Sequence, residues 1–169
     1  MRNAQYIQKL IIDPKGLAKP AQVGVDLTLD TVKRIVGGAH IPRDPGKTQH
    51  GVLEEVTPEE IAHYENEEPR KAFTLEPGTY SIGFDQGLKP LASTDTAIIY
   101  NRSSLGRNGV VIRSSIYDPG FDTPSMGAVM YVYTPIVIEQ HARVAQIVIH
   151  RNEEANLYDG QYKGEKDFR

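Results

Sequence analysis

Apolar residues recur at two spacings along this chain, and the switches between them mark out its elements. From Asn3 to Ile12, Tyr6, Ile7, Leu10 and Ile11 fall on one stripe at helical spacing with Asn3 placed as a cap, which predicts a short amphipathic helix. Asp13-Pro14-Lys15-Gly16 ends it. After Pro20 the period becomes two, with Val23, Val25, Leu27 and Leu29 on one face and Gln22, Gly24, Asp26 and Thr28 on the other, the signature of a half-buried strand. A second strand is expected at Val32 to Val36, then a loop from Gly37 to Gly51. Thr57-Pro58-Glu59-Glu60 combines a capping box with proline at the first helical position, predicting a short exposed helix from Pro58 to about Tyr64. Phe73 to Phe84 reads as strand, Pro77-Gly78 turn, strand. Further strands are expected at Thr96 to Tyr100, Val110 to Ile112, Ala128 to Tyr133, Ile136 to Glu139 and Arg143 to Ile149. Many short strands with few short helices indicate an all-β barrel or jelly-roll-like fold.

The 169 residues suit one domain. Two segments stand apart in composition: an acidic insertion at about 53–69, read as solvated, and a polar stretch at about 156–169, read as a mobile tail. There is no cysteine, which removes disulfides, thiolate metal sites and thiol nucleophiles. The start of the chain lacks an uninterrupted apolar signal region, and no stretch approaches the length of a membrane span, so a cytoplasmic protein without a membrane partner is expected. A net charge of −3 argues against a broad nucleic-acid surface. A phosphate ligand would have to be met by local basic groups, which favours a small phosphorylated substrate.

Such a local concentration exists. Arg102, Ser103, Ser104 and Arg107 combine two guanidinium groups, two hydroxyls and a possible helix start, a donor set suited to an oxyanion without help from a metal. The same tetrapeptide is equally compatible with an ordinary capping turn. Asp118 follows shortly after, flanked by Tyr117 and Pro119-Gly120-Phe121.

The wider pattern separates these readings. Arg102-Ser103-Ser104-Leu105-Gly106-Arg107-Asn108-Gly109 closely resembles the G-R-S-S-L-A-R-x-G motif of the family uniting dCTP deaminases and dUTPases. Asp118-Pro119-Gly120-Phe121 resembles its D-x-G-aromatic motif, and Val25-Asp26-Leu27-Thr28-Leu29 its early V-D-L-x-L strand. Arg143 to Ile149 is similar to its K/R-I-A-Q-L-V-F strand, and Tyr158 to Gly164 to its Y-x-G-K-Y-Q-G tail. These segments occur in the family's order along most of the chain, leaving the acidic insertion as the main uncovered region. Asn101 stands where the family has glycine, and Gln161 and Glu165 where its tail has lysine and glutamine.

The resemblance implies a distorted β-barrel of the β-clip type, assembled as a homotrimer and acting on a deoxynucleoside triphosphate with Mg²⁺. It implies that Arg102, Ser103 and Ser104 meet phosphate, that Gln146 reaches a phosphate or a metal-bound water, that Asp118 is the central catalytic acid, and that Phe121 lies under the deoxyribose. Tyr158, Tyr162 and Lys163 would close over the substrate, and main-chain groups of the Val110 to Tyr117 hairpin would read the base. No protein ligand to Mg²⁺ is assigned; the ion is expected on substrate phosphates and water, with Asp26 as suited to an internal hydrogen bond as to water near the ion. Deamination needs a carboxylate beside C4 of cytosine, supplied in the deaminases about ten residues after the aspartate. Here that strand reads Gly127-Ala128-Val129-Met130-Tyr131-Val132-Tyr133, with none. The resemblance thus points to an archaeal-type dUTPase on a deaminase-like scaffold, hydrolysing dUTP to dUMP and pyrophosphate. Two alternatives are a dCTP deaminase, alone or bifunctional with dUTPase, and a non-catalytic deoxynucleotide-binding regulator.

Overall fold

The computed structural model describes residues 1–44, 47–61, 69–160 and 162–164. In chain order its elements are α1 (Ala4–Leu10), β1 (Ile11–Ile12), β2 (Lys19–Pro20), β3 (Val25–Gly37), β4 (Val52–Glu55), β5 (Glu59–Ile61), β6 (Arg70–Leu75), β7 (Gly78–Phe84) and β8 (Gly87–Leu88). After these come β9 (Asp95–Asn101), α2 (Ser103–Arg107), β10 (Val110–Arg113), β11 (Gly127–Val132), β12 (Ile136–Glu139) and β13 (Arg143–Arg151).

Six strands close on themselves in the order β13-β9-β10-β11-β7-β3, because β13 pairs with both β9 and β3. The expected all-β barrel with short helices is therefore what forms. Closure removes the open edges of the main sheet and turns one face of every strand toward a common core. Val25, Leu27, Leu29, Ile82, Phe84, Ile99, Ile112, Met130 and Ile147 fill that core and are almost wholly buried. A smaller sheet, β12-β6-β5, flanks the barrel, and β4 extends β3.

The early alternating stretch and the strand expected after it are one continuous strand. β3 runs through both, with a register irregularity between Leu29 and Thr31, so its first half pairs with β13 and its second with β7 and β4. Its polar face is not solvated: Asp26 and Thr28 are buried along with Val25, Leu27 and Leu29. Period-two alternation identified the strand but not what covers its polar side.

Pro77 separates strands that do not pair with each other. β6 belongs to the small sheet and β7 to the barrel, so the turn is a corner between layers. The helix expected from Pro58 starts instead as strand β5, whose Glu59, Glu60 and Ile61 pair with Ala72, Lys71 and Arg70. Here a ladder to β6 outweighs the local capping signal; residues 62–64 of that expectation lie outside the described residues. α1 forms at the expected place but stops at Leu10, since Ile11 and Ile12 pair with β8 as strand β1; the Asn3 side chain accepts from the Tyr6 N–H at 2.9 Å, and Ala4 and Ile7 turn inward. Arg2 and Tyr6 both donate to the buried Asp95 carboxylate, at 2.8 and 2.6 Å, tying the helix to the start of β9. No described helix is long and apolar enough to cross a membrane.

Phe84 is 1% exposed in the barrel core. Phe84→Ala should destabilise the fold by about 3–5 kcal/mol through lost transfer energy and a residual cavity, measured by chemical denaturation.

Candidate active site

Strand pairing assembles the first half of the site. Asp26 on β3 lies opposite Gln146 on β13, and Gln146 lies opposite Tyr100 on β9, so three neighbouring strands present one row. Arg102 caps α2 immediately after β9 and adds its guanidinium. A cavity of about 450 Å³ opens there, lined chiefly by Gln22, Asp26, Tyr100, Arg102, Arg143 and Gln146, with Ser103 at its edge. Gly24 lets the chain pass under it: a Cβ there would lie 2.5 Å from the Ile147 carbonyl oxygen and 2.7 Å from Gln146 Cγ, so no side chain fits without displacing the row.

Asp26 is the electrostatic centre of this cavity. It is 3% exposed, and a buried carboxylate must be paired or be strongly penalised. Oδ1 accepts from Gln146 Nε2 at 3.1 Å, while Oδ2 receives the guanidinium groups of Arg102 and Arg143, the latter at 3.4 Å. Arg102 and Arg143 remain partly exposed and face the opening. One carboxylate anchoring two guanidiniums and a carboxamide leaves net positive charge at the mouth, which suits a polyphosphate. Ser104 and Arg107 lie exposed on α2, just beyond the lining. Arg143 carries one of the two guanidiniums; the sequence reading placed it in a matching strand but gave it no role.

The second half of the site is elsewhere on the same chain. Asp118-Pro119-Gly120-Phe121 is a tight turn closed by the Phe121 N–H donating to the Asp118 carbonyl at 3.0 Å, with Gly120 at φ +80°, a conformation that favours glycine. Asp118 is exposed. Phe121 stacks on Tyr117 with ring centroids 5.1 Å apart and meets the edge or face of Tyr158 at 5.6 Å. The end of the chain crosses this turn: the Tyr158 N–H donates to the Pro119 carbonyl at 2.6 Å and the Gly164 N–H to the Asp122 carbonyl at 2.9 Å. Tyr162 and Lys163 lie between these anchors, the Tyr162 N–H pointing to the Tyr158 hydroxyl at 3.4 Å.

The two halves do not meet. Tyr117 bridges Ala97 near the start of β9, whereas Arg102 follows its end. Five residues of extended strand separate them, about 17 Å at roughly 3.3 Å per residue. The structure groups Arg102, Ser103 and Gln146 in one place and Asp118, Phe121 and Tyr158 in another.

The family model for dCTP deaminase-like proteins matches residues 2–152. The chain belongs to the dCTP deaminase-like family. Among relatives, a protein of Halobacterium salinarum named probable deoxyuridine 5'-triphosphate nucleotidohydrolase is 33% identical over 143 residues, covering 85% of this chain and 82% of its own length. One of the same name from Methanopyrus kandleri is 33% identical, with 82% and 84% covered. The deoxyuridine 5'-triphosphate nucleotidohydrolase of Methanocaldococcus jannaschii is 34% identical over 59% of this chain and 63% of its own. In structure the barrel is similar to the 2'-deoxycytidine 5'-triphosphate deaminase of Agrobacterium tumefaciens, with a TM-score of 0.58 at 15% identity, which shows a shared fold. The overlap covers 84% of this chain but 42% of that one, so this chain spans less than half of the deaminase.

Within this family's barrel, β11 carries no carboxylate: Ala128, Met130 and Val132 point into the core, and Val129 and Tyr131 point outward. Glu139 is on β12, at 3.4 Å from Arg70 in the small sheet. As for metal, Asp26 is the sole carboxylate lining the cavity among the described residues, beside the carboxamide of Gln146. That donor set does not form an all-protein cage, and both Asp26 oxygens already have donors, so Mg²⁺ would be held chiefly by the oxygens of a polyphosphate and by water.

A second polar cluster lies farther along β3. Ligand-type atoms of Asp30, Asp85 and His141 fall within 4.8 Å of one another, but the Lys15 ammonium already sits on Asp30 at 3.0 Å and Asp85 at 2.7 Å, so the chain supplies its own cation. Burial pushes the Asp85 carboxyl up, but hydrogen bonds from Lys15, Thr28 and His141 together outweigh it and hold it below the ordinary 3.8. A depressed folded-state value contributes stability that is present above the unfolded value and lost as pH falls through the folded one. The melting-temperature gap between wild type and Asp85→Asn should therefore hold through neutral pH and shrink below about pH 4, as read by thermal scans across pH.

Proposed function

We propose that this chain is a dUTP diphosphatase that hydrolyses dUTP to dUMP and pyrophosphate. The observation that carries the reading is the carboxylate-free β11 in a deaminase-like barrel. Its relatives named for dUTP hydrolysis support the same substrate. Without an acid there, nothing is positioned to shuttle protons between water and a cytosine amine.

In this reading the triphosphate enters the cavity, and Arg102, Arg143, Gln146, Ser103, Ser104 and Arg107 meet its oxygens. Asp118 orients and deprotonates a water facing the α-phosphorus. The water oxygen bonds to that phosphorus as its bond to the bridging oxygen breaks, and pyrophosphate departs with the electron pair. Donors already fixed around Asp26 meet the growing charge without reorganising, the main source of electrostatic catalysis. Mg²⁺, held on the phosphates beside Asp26 and Gln146, would neutralise part of that charge. Phe121 would support the deoxyribose, and Tyr158, Tyr162 and Lys163 would cover the nucleotide.

The offset of about 17 Å along β9 between the Tyr117 bridge and Arg102 supports a site shared between copies, with one protomer's Asp118 turn facing its partner's cavity. The barrel's outer face fits such a contact: the registers Tyr100↔Arg113↔Val129 and Val111↔Tyr131 put these side chains on one outward side, with Tyr100 47% and Tyr131 38% exposed. A homotrimer is the assembly proposed. Sedimentation should give a mass near three chains, and a monomer at assay concentration would sink the shared site.

The reaction is tested by incubating the protein with Mg²⁺ and either dUTP or dCTP, assaying pyrophosphate and ammonia in both. Pyrophosphate from dUTP and no ammonia from dCTP is expected; ammonia from dCTP would establish the deaminase instead. Asp118→Asn should reduce kcat by about 10²–10⁴-fold, the usual worth of a positioned base, with little change in binding of a non-hydrolysable dUTP analogue. Retained turnover would remove Asp118 from its role.

A further inference from the structure

The cluster around Asp85 has no part in the chemistry above, yet it contacts β3, the turn into β13 and the loop into β2, three of the segments that build the cavity. Side chains alternate along a strand, so Asp26, Thr28 and Asp30 project from the same side of β3. Asp26 anchors the two arginines of the cavity. Two residues on, Thr28 Oγ1 donates to Asp85 Oδ2 at 2.6 Å. His141 Nδ1 meets the same oxygen at 2.9 Å, from the turn that leads into β13 two residues before Arg143. The other oxygen, Oδ1, takes the Lys15 ammonium at 2.7 Å. Lys15 belongs to the loop that runs into β2, whose Lys19 pairs with Asp26 and whose Pro20 lines the cavity. The Asp85 side chain is itself wholly buried.

The cluster acts where the β3–β13 ladder is irregular. Arg143 pairs with Thr28, the residue that bonds Asp85, and the register then shifts before Ala145, so the regular pairing that sets Gln146 opposite Asp26 is interrupted before it reaches Arg143. The turn before Arg143 is pinned from the other side. His141 adopts φ 65°, its N–H donates to the Leu29 carbonyl at 2.7 Å, and Gln140 Nε2 donates to the Asp30 carbonyl at 3.0 Å. All of these contacts surround the imidazole–Asp85–Thr28 bridge.

We propose that Asp85 is a positioning residue for the phosphate-binding cavity: through Thr28 on β3 and His141 at the entry to β13, it holds Asp26 and Arg143 so that both arginines face the polyphosphate. This rests on the reading of the cavity as a phosphate site. Asp85 touches neither substrate nor reacting atoms, and acts only through the two strands it joins.

A cluster that merely stabilised the barrel would lower the melting temperature and leave affinity alone, which gives the test. In the full chain, Asp85→Asn, Thr28→Val, Thr28→Ser and the double variant Thr28→Val/Asp85→Asn are compared well below their melting temperatures. The readouts are the Kd for inorganic pyrophosphate by calorimetry and the KM and kcat for dUTP. Asp85→Asn and Thr28→Val should each weaken pyrophosphate binding about tenfold, as loss of a supporting hydrogen bond does around other sites. KM should rise in step, with kcat moving much less. The double variant should cost less than the sum of the two single ones, because both cut the Thr28–Asp85 bond, while Thr28→Val alone also removes the bond donated by Gln86 Nε2 at 2.9 Å. Thr28→Ser keeps the hydroxyl and should restore affinity, which keeps the test valid if Asp85→Asn does not fold. Unchanged pyrophosphate affinity in Thr28→Val alongside a lower melting temperature would overturn the proposal. If the wild type binds pyrophosphate but does not hydrolyse dUTP, the proposed reaction falls and the pyrophosphate Kd values alone judge Asp85. Absence of pyrophosphate binding by the wild type would overturn both.

Discussion

The antiparallel pairing of β3 with β13 is the contact on which the rest of the molecule depends. These strands are far apart in sequence, so their pairing carries a loop-closure cost that only the packed core repays. Once made, it turns an open sheet into a six-strand ring and places Asp26 directly across from Gln146. The cavity therefore lies on the seam where the barrel closes.

That seam is polar where a barrel wall is ordinarily apolar on its inner side and wet on its outer one. Asp26, Thr28 and Asp85 are buried charged or hydroxylated groups on or beside it, and each is hydrogen-bonded. Such groups are tolerated only when fully partnered, and half-satisfied networks are costly. Their arrangement makes one continuous row along β3, from guanidinium groups at the cavity to the Lys15 ammonium at the far end. The seam thus holds two guanidinium groups against one buried carboxylate, and in the proposed reading these are the charges that meet a polyphosphate.

The two halves of the candidate site divide along the same architecture. β9 is seven residues long, and the cavity sits past its C-terminal end while the Asp118 turn sits beside its start. The chain thus carries the two groups of residues at opposite ends of one strand. Association of copies through the outer face bearing Tyr100 and Tyr131 would let those pieces meet. Tyr158 and Gly164 bond back to the Asp118 turn, with the Tyr158 ring against Phe121, so within one chain this aromatic group is assembled.

Local patterns along the sequence determined a good deal. The Asn3 cap and apolar stripe specify α1, the short alternating runs specify most strands, and Pro119-Gly120 specifies the turn that displays Asp118. These signals survive because each is satisfied by neighbours in sequence: a side-chain cap, a period, a residue that accepts positive φ. The family resemblance likewise placed Arg102, Ser103 and Gln146, which the fold brings to one cavity. Only the tertiary structure decided that the two early strands are one, that Pro77 is a corner between sheets, and that Glu59–Ile61 is a strand. It alone revealed Arg143 as a partner of Asp26, and the bridge from Asp85 to Thr28 and His141. For Glu59–Ile61 the deciding partner is the nearby β6, but for Asp26 and Asp85 it lies dozens of residues away, and a periodic pattern records that a face is polar without recording which distant group will neutralise it.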